Sequence, residues 1–179
     1  RLDVVIPAGT YYVKVNEQND NETSPDPYTF TISLDTTDAC EYNNSFSTAC
    51  LVSQNSSFPA KINGMHLTNP VYNDQDFYKV QTSKGGVLAV QIDSVPQYLE
   101  MQVTVYQEAD TINPTATITG TQGETTPLAQ ILPAGVYFIK VNDQNNNESS
   151  PDAYNVTISL DTTETCEYNN VFATACQLL

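Results

Sequence analysis

An internal repeat constrains the fold of this chain more than any other feature. Residues 7–50 and 133–176 are related by an offset of 126 positions (133 − 7), and 31 of these 44 aligned positions are identical. Most differences are mild, such as Val13 against Ile139 and Glu17 against Asp143. Repetition at a fixed period is typical of an array in which one structural unit recurs. The repeat therefore favours a structural or adhesive protein over an enzyme with a single active site.

The hydrophobic pattern predicts β-strands throughout the chain. Apolar and polar residues alternate with period two in many short segments, and β-branched and aromatic residues are frequent there. The predicted strands are residues 11–15, 28–34, 58–62, 77–82, 87–92, 101–107, 115–119, 128–132, 137–141 and 154–160. A single helical turn is predicted near residues 44–50.

A complete unit is predicted at residues 36–161, with about eight strands. This length and strand number suit an all-β fold, an antiparallel, jelly-roll-like β-sandwich repeated in tandem. Residues 1–35 correspond to the C-terminal strands of a preceding repeat, and residues 162–179 to the opening segment of the next. Residues 1–35 would supply only the last three strands of that repeat, and three strands cannot bury both faces of a sandwich. We therefore expect residues 1–35 to be completed either by an upstream segment or by a neighbouring molecule through strand addition.

The composition is strongly acidic, with 21 Asp and Glu against 6 Lys and Arg, a formal net charge of −15. Such a surface repels nucleic acid and anionic membranes. No apolar run approaches the length needed to cross a bilayer. We therefore expect neither a nucleic-acid partner nor membrane insertion.

The cysteines occur as two pairs with the same ten-residue spacing, Cys40 with Cys50 and Cys166 with Cys176. This spacing predicts one local disulfide in each copy of the repeat, and hence an oxidising, extracellular compartment. The alternatives are reduced cysteines or a metal site. A metal would need further Cys or His ligands, and His66 is the only histidine.

Five asparagines lie in Asn-x-Ser/Thr sequences, which predicts a glycoprotein: Asn21, Asn43, Asn55, Asn147 and Asn155. Asn21 and Asn147 occupy the same repeat position, in a polar loop between predicted strands, where a glycan disturbs no packing. The alternative is that these asparagines are unmodified, because a chain rich in Asn and Thr produces such sequences by chance.

Several motifs of the complete unit occur in the order typical of one bacterial family. They are Glu41-Tyr42-Asn43-Asn44 followed by Thr48-Ala49, then residues 73–80 (NDQDFYKV), Gly86-Val87-Leu88, residues 103–106 (VTVY) and residues 133–141 (PAGVYFIKV). With these motifs the unit resembles the bacterial pre-peptidase C-terminal domain. The resemblance implies a jelly-roll-like sandwich, secretion and a noncatalytic accessory role. The cysteine pair and the tandem repetition depart from the usual pattern of the family.

The same resemblance implies a calcium site, since some members of the family hold calcium between the opening stretch and the Asn-Asp loop. The ligands carried over are Glu41, Asn43, Asn44, Asp74 and Asp76. Their carboxylate and amide oxygens are of the type that calcium binds. The alternative is that Asp74 and Asp76 cap a turn while Glu41 and Asn43 are solvated.

No catalytic constellation is evident, because a serine triad needs a histidine and His66 stands alone in a polar stretch. Four tyrosines could present rings to a ligand, or could be half-buried packing residues: Tyr42, Tyr72, Tyr98 and Tyr106. The sequence thus predicts a nonenzymatic structural subunit of an extracellular, glycosylated filament or surface fibre. Its partners would be identical subunits or neighbouring repeats, joined head to tail. The alternative is a secreted or surface binding module for matrix protein or carbohydrate, with calcium as its ion.

Overall fold

The computed structural model describes residues 4, 6, 8–17, 19, 21–63 and 74–163. Its strands are β1 (Cys50–Leu51), β2 (Ser56–Ala60), β3 (Gln75–Thr82), β4 (Gly86–Asp93), β5 (Met101–Gln107), β6 (Ala116–Thr119), β7 (Thr126–Leu132), β8 (Gly135–Asp143) and β9 (Tyr154–Asp161). A short 3-10 helix, Phe46–Thr48, precedes β1, where a single turn was predicted. The predicted second disulfide, between Cys166 and Cys176, lies outside the described residues.

The strands form two sheets packed face to face, which confirms the predicted β-sandwich. The five-stranded sheet has the order β1-β3-β8-β5-β6, and the four-stranded sheet has the order β2-β9-β4-β7. All pairings are antiparallel except that of β1 with β3. Pro59 and Pro127 lie in β2 and β7, the two edges of the four-stranded sheet, where proline breaks no inner ladder. Strands β8 and β9 therefore lie inside their sheets, with a hydrogen-bonded neighbour on each side.

The core lies between the sheets and is built from alternating residues of the inner strands. In β9, for example, Tyr154, Val156, Ile158 and Leu160 are buried while the residues between them are more exposed. The largest fully buried side chains are Tyr78, Tyr137, Tyr154, Ile62, Leu88, Ile92, Leu99, Met101, Leu132, Ile139, Ile158 and Val80. The alternation of apolar and polar residues in the sequence thus corresponds to strands with one buried and one more exposed face.

A second, smaller apolar cluster covers the outer face of the five-stranded sheet. The ring of Phe46, in the 3-10 helix, meets the rings of Phe77, Tyr106 and Phe138 edge-on, with centroids 4.8, 5.2 and 5.2 Å away. The predicted disulfide between Cys40 and Cys50 is present and closes the loop that carries Phe46. The disulfide therefore holds the ring of Phe46, which we call the plug, against the outer face of the sheet.

The strands predicted at residues 11–15 and 28–34 are not formed. Within the N-terminal copy, by which we mean residues 8–35, no described residue belongs to a strand. The equivalent inner positions of the two sheets are occupied by β8 and β9 of the second copy, so the N-terminal copy cannot take them in this unit. The prediction that residues 1–35 need a partner from outside the unit is untested by this arrangement.

Candidate functional site

Four carboxylates meet at one end of the sandwich, and we call Asp38, Glu41, Asp74 and Asp76 the acidic cluster. Asp38 precedes the disulfide loop, Glu41 is the first residue within it, and Asp74 and Asp76 flank the start of β3. Asp74 and Asp76 are buried, while Glu41 is half-buried. The start of β3 and the segment around Cys40 thus bring acidic residues that are distant in sequence together.

Backbone and amide donors satisfy much of the acidic cluster. Asp38 accepts hydrogen bonds from the backbone N–H groups of Cys40 and Lys61, each at 2.9 Å. Asn63 donates its backbone N–H to Asp74 Oδ2 at 2.6 Å and its Nδ2 to Glu41 Oε2 at 2.5 Å. These bonds fasten the opening segment of the unit to the chain that follows β2.

Asp76 is the most deeply buried member of the cluster, and the hydroxyl of Tyr154 in β9 donates a hydrogen bond to its Oδ2. Burial raises the pKa of Asp76 well above its usual value, and the charges of Asp74 and Asp38 raise this pKa further. Burial also raises the pKa of Asp38. The cluster therefore favours a protonated carboxyl or an added positive charge.

The five predicted calcium ligands lie in this region but do not form a recognisable cation cage. Asn43 accepts the backbone N–H of Phe77 through its carbonyl at 2.9 Å, and Asn44 Oδ1 accepts that of Gln75 at 3.4 Å. Among the described residues, no three His, Cys, Asp or Glu side chains are placed to hold a metal ion. The donor chemistry fits calcium, but among the described residues these carboxylates bind backbone and side-chain donors and are not arranged around one cation position. Calcium binding stays a prediction.

The predicted glycosylation sites differ in accessibility. Asn43 is only 1% exposed, so a glycan could not be attached there without rearranging the start of the unit. The other four are exposed: Asn21, Asn55, Asn147 and Asn155. Exposure is what a glycan requires, and glycosylation at these four stays a prediction.

The predicted tyrosine face is not a continuous surface in the described residues. Tyr106 is half-buried against Phe46, while Tyr98 is exposed in the loop before β5. Tyr98 lies in a turn before β5 and Tyr106 lies near the end of β5, so most of the strand separates them. Tyr72 and His66 lie outside the described residues.

The N-terminal copy and its counterpart in β8 and β9 have nearly the same sequence and opposite environments. In the N-terminal copy Tyr12 is 95% exposed, Phe30 52% and Leu34 77%. Their counterparts Phe138, Val156 and Leu160 are buried. Residues 28–34 are therefore a second candidate site, an exposed apolar segment whose counterpart in the second copy forms β9.

The N-terminal copy is tied to the complete unit at a defined joint. Asp35, its last residue, forms an ion pair with Lys61, which follows β2. Asp35 Oδ1 also accepts hydrogen bonds from Thr37 N at 2.9 Å and Thr37 Oγ1 at 2.6 Å. The second copy repeats this turn, since Asp161 accepts the same two bonds from Thr163 at 2.9 and 2.7 Å. Both copies thus end in the same local structure.

Sequence reasoning missed three residues of these sites, Asp38, Lys61 and Tyr154. Asp38 and Tyr154 have a detectable signal, because the other copy carries Glu164 and Tyr28 at the equivalent positions. Lys61 has no such signal, because its role depends on how β2 ends beside the joint.

No family model and no curated protein sequence matches this chain significantly. Among solved structures, the pre-peptidase C-terminal domain of a collagenase from Bacillus anthracis is similar, with a TM-score of 0.50 and 14% identity over 62% of this chain and 94% of that domain. A periplasmic inhibitor of g-type lysozyme from Aeromonas hydrophila, PliG, has a TM-score of 0.43 at 15% identity, covering 62% of this chain and 97% of its own. The K1 adhesin domain of Lys-gingipain from Porphyromonas gingivalis W83 has a TM-score of 0.38 at 14% identity, covering 59% and 74%.

The collagenase domain confirms, at the level of the fold, the predicted resemblance to the pre-peptidase C-terminal domain. The chain thus folds as a β-sandwich of this type. Within the described residues, no helix has the length and hydropathy of a membrane span.

Proposed function

We propose that this chain is a structural, noncatalytic repeat of an extracellular filament or surface fibre, assembled head to tail. The observation that carries the proposal is the opposite environment of the two copies. Tyr28, Phe30 and Leu34 face solvent, whereas the equivalent Tyr154, Val156 and Leu160 are buried in β9. An exposed segment whose near-identical copy forms strands in the same chain is suited to joining one unit to another.

Other features support an extracellular role. The Cys40–Cys50 disulfide is of the kind that persists in oxidising compartments. Four of the five glycosylation sequences are exposed, and glycans on Asn21 and Asn147 would decorate equivalent loops of successive units. The net charge of −15 favours solubility and disfavours binding to nucleic acid.

Electron microscopy of the native material tests this proposal directly. We expect a string of similar densities with one repeat per unit, and additional density at Asn21 and Asn147 if these asparagines are glycosylated. Dispersed single particles at native concentration, with no periodic assembly, would refute the filament. Treatment of the same sample with a glycosidase is the control that separates assembly from glycan-mediated clustering.

The second candidate is a secreted or surface binding module. It is favoured by the likeness to a domain whose parent protein is a collagenase, and by the acidic cluster, whose buried charges would gain from calcium. Collagen and polysaccharide pull-downs with calcium and with EDTA test it. Retention that depends on calcium would support the module, and no retention under either condition would refute it.

A further inference from the structure

We propose that the N-terminal copy occupies, in a neighbouring sandwich, the positions that β8 and β9 occupy here, and so supplies the central strand of both sheets. We call residues 36–132, which hold β1–β7, the frame. The frame at residues 36–132 is filled by its own β8 and β9, so the partner is a frame of the same type in another unit that has no β8 and β9 of its own. This inference rests on the proposed head-to-tail assembly and names the surface that makes the joint.

The central position follows from the register of the second copy. Strand β8 pairs with β3 on one side and β5 on the other, and β9 pairs with β2 and β4. Addition to the edge of a complete sandwich would give each donated strand one neighbour only. It would also leave one apolar row exposed, because Tyr28, Phe30 and Leu34 correspond to residues that face the space between the sheets. Only a frame without its own β8 and β9, which we call an open frame, offers each donated strand two neighbours and also buries this apolar row.

The frame of the same chain cannot be the acceptor while the joint is intact. If the N-terminal copy replaced β9, Asp35 would lie at the position of Asp161. That position is seven residues along the strand from Tyr154 (161 − 154), and Tyr154 pairs with Ala60. Seven residues of strand span about 23 Å. Asp38, however, accepts the backbone N–H of Lys61, next to Ala60, and the three residues from Asp35 to Asp38 reach at most about 11 Å. The acceptor is therefore a different frame.

This geometry also sets how two units are joined. The donated strand ends at the far end of the acceptor sandwich, and its last residue, Asp35, contacts Lys61 at the near end of the next one. Successive sandwiches therefore meet end to end, with their strands running along the string. The Asp35–Lys61 ion pair and the Asp35–Thr37 turn lie at each joint.

Hydrogen exchange of the native assembly, read residue by residue, tests the central position. We expect the exchange of consecutive amides in residues 28–34 to be slowed about a thousandfold or more, like that of residues 154–160. In a central strand, successive N–H groups donate hydrogen bonds alternately to the two neighbouring strands, so every amide is protected. Protection of alternate amides would show edge addition instead and would overturn the inference. So would fast exchange throughout residues 28–34. Protection of residues 28–34 with fast exchange of residues 154–160 would show displacement of β9, and would overturn it too.

Two substitutions in the full chain give a matched comparison. Phe30→Asp changes a residue equivalent to buried Val156, and Thr29→Asp adds the same charge at a position equivalent to exposed Asn155. We expect F30D to lower the assembled fraction at least tenfold in sedimentation and to abolish protection of residues 28–34. T29D should stay within about twofold of the wild type, and both variants should keep residues 154–160 protected. Equal effects of F30D and T29D would overturn the inference.

The two proposals fail in distinguishable ways. Filaments in micrographs with rapid exchange at residues 28–34 would leave the structural function standing and remove this joint. Protection of consecutive amides in a discrete, non-polymerising molecule would keep the joint and remove the filament.

Discussion

The substitution Val156→Phe tests whether the two copies of the repeat are interchangeable in this frame. Val156 is fully buried in β9, opposite Phe58 of β2 and Ile92 of β4, and the N-terminal copy carries Phe30 at this position. A phenylalanine there must fit between two large neighbours on the same face of the sheet. Overpacking of this kind costs about 1–3 kcal/mol. We expect V156F to lower the free energy of unfolding by that amount in urea titrations, with an unchanged dependence on denaturant.

The control is Asn155→Thr, which also introduces the residue of the N-terminal copy but at an exposed position of the same strand. It should change the free energy of unfolding by less than about 0.5 kcal/mol. If V156F were as stable as the wild type, the frame would have room for a phenylalanine, and the reasoning would be wrong. If V156F is destabilised as expected, the frame of this unit is fitted to Val156, and Phe30 would need more room than this frame offers at that position.

Three further changes test other contacts. Replacing Cys40 and Cys50 by alanine should lower the free energy of unfolding by about 2–3 kcal/mol, seen as a lower melting temperature than that of the wild type without reductant. Phe46→Ala should cost about 2 kcal/mol in the same assay through loss of three ring contacts, and an unchanged melting temperature would contradict the plug. Because burial raises the pKa of Asp76 above 3.8, the folded state binds more protons than the unfolded chain between these two pKa values, so stability should fall as pH rises through that window. Urea titrations in EDTA should show this fall for the wild type and a flatter profile for Asp76→Asn, and identical profiles would contradict the assignment.

The strands that sequence reasoning located best are those whose alternation and pairing agree. Residues 101–107 were predicted as a strand and form β5 over the same range, since polar residues alternate with buried ones for most of its length. Residues 58–62 were predicted two positions too late, because β2 begins at Ser56. Ser56 and Ser57 join the ladder through their pairing with β9, which local hydrophobicity does not encode. Strand β1 has two residues and a parallel partner, so no periodicity could reveal it.

The residues of the acidic cluster and the joint were predicted only in part, because some of them meet only through strand pairing. Glu41 and Asp74 were identified from the family motifs, and both bind Asn63 in the structure. Lys61 and Tyr154 were not identified, because they reach the acidic cluster and the joint only through the register of β2 and β9. The sequon at Asn43 indicated a surface residue, and it is buried because its carbonyl pairs with β3. A motif specifies chemistry, whereas burial depends on which strands meet.

The two copies of the repeat separate what a segment prefers from what its neighbours impose. Residues 28–34 and 154–160 share the same alternation, and only the second segment lies between β2 and β4. Intrinsic strand propensity is therefore similar in both segments. The difference in structure arises because only residues 154–160 have a neighbouring strand on each side. The second copy also shows that the loss of conformational entropy on forming these strands is offset once a frame is available. The burial of Tyr154 and Leu160 thus shows the environment that the proposed joint would give to the exposed Tyr28 and Leu34.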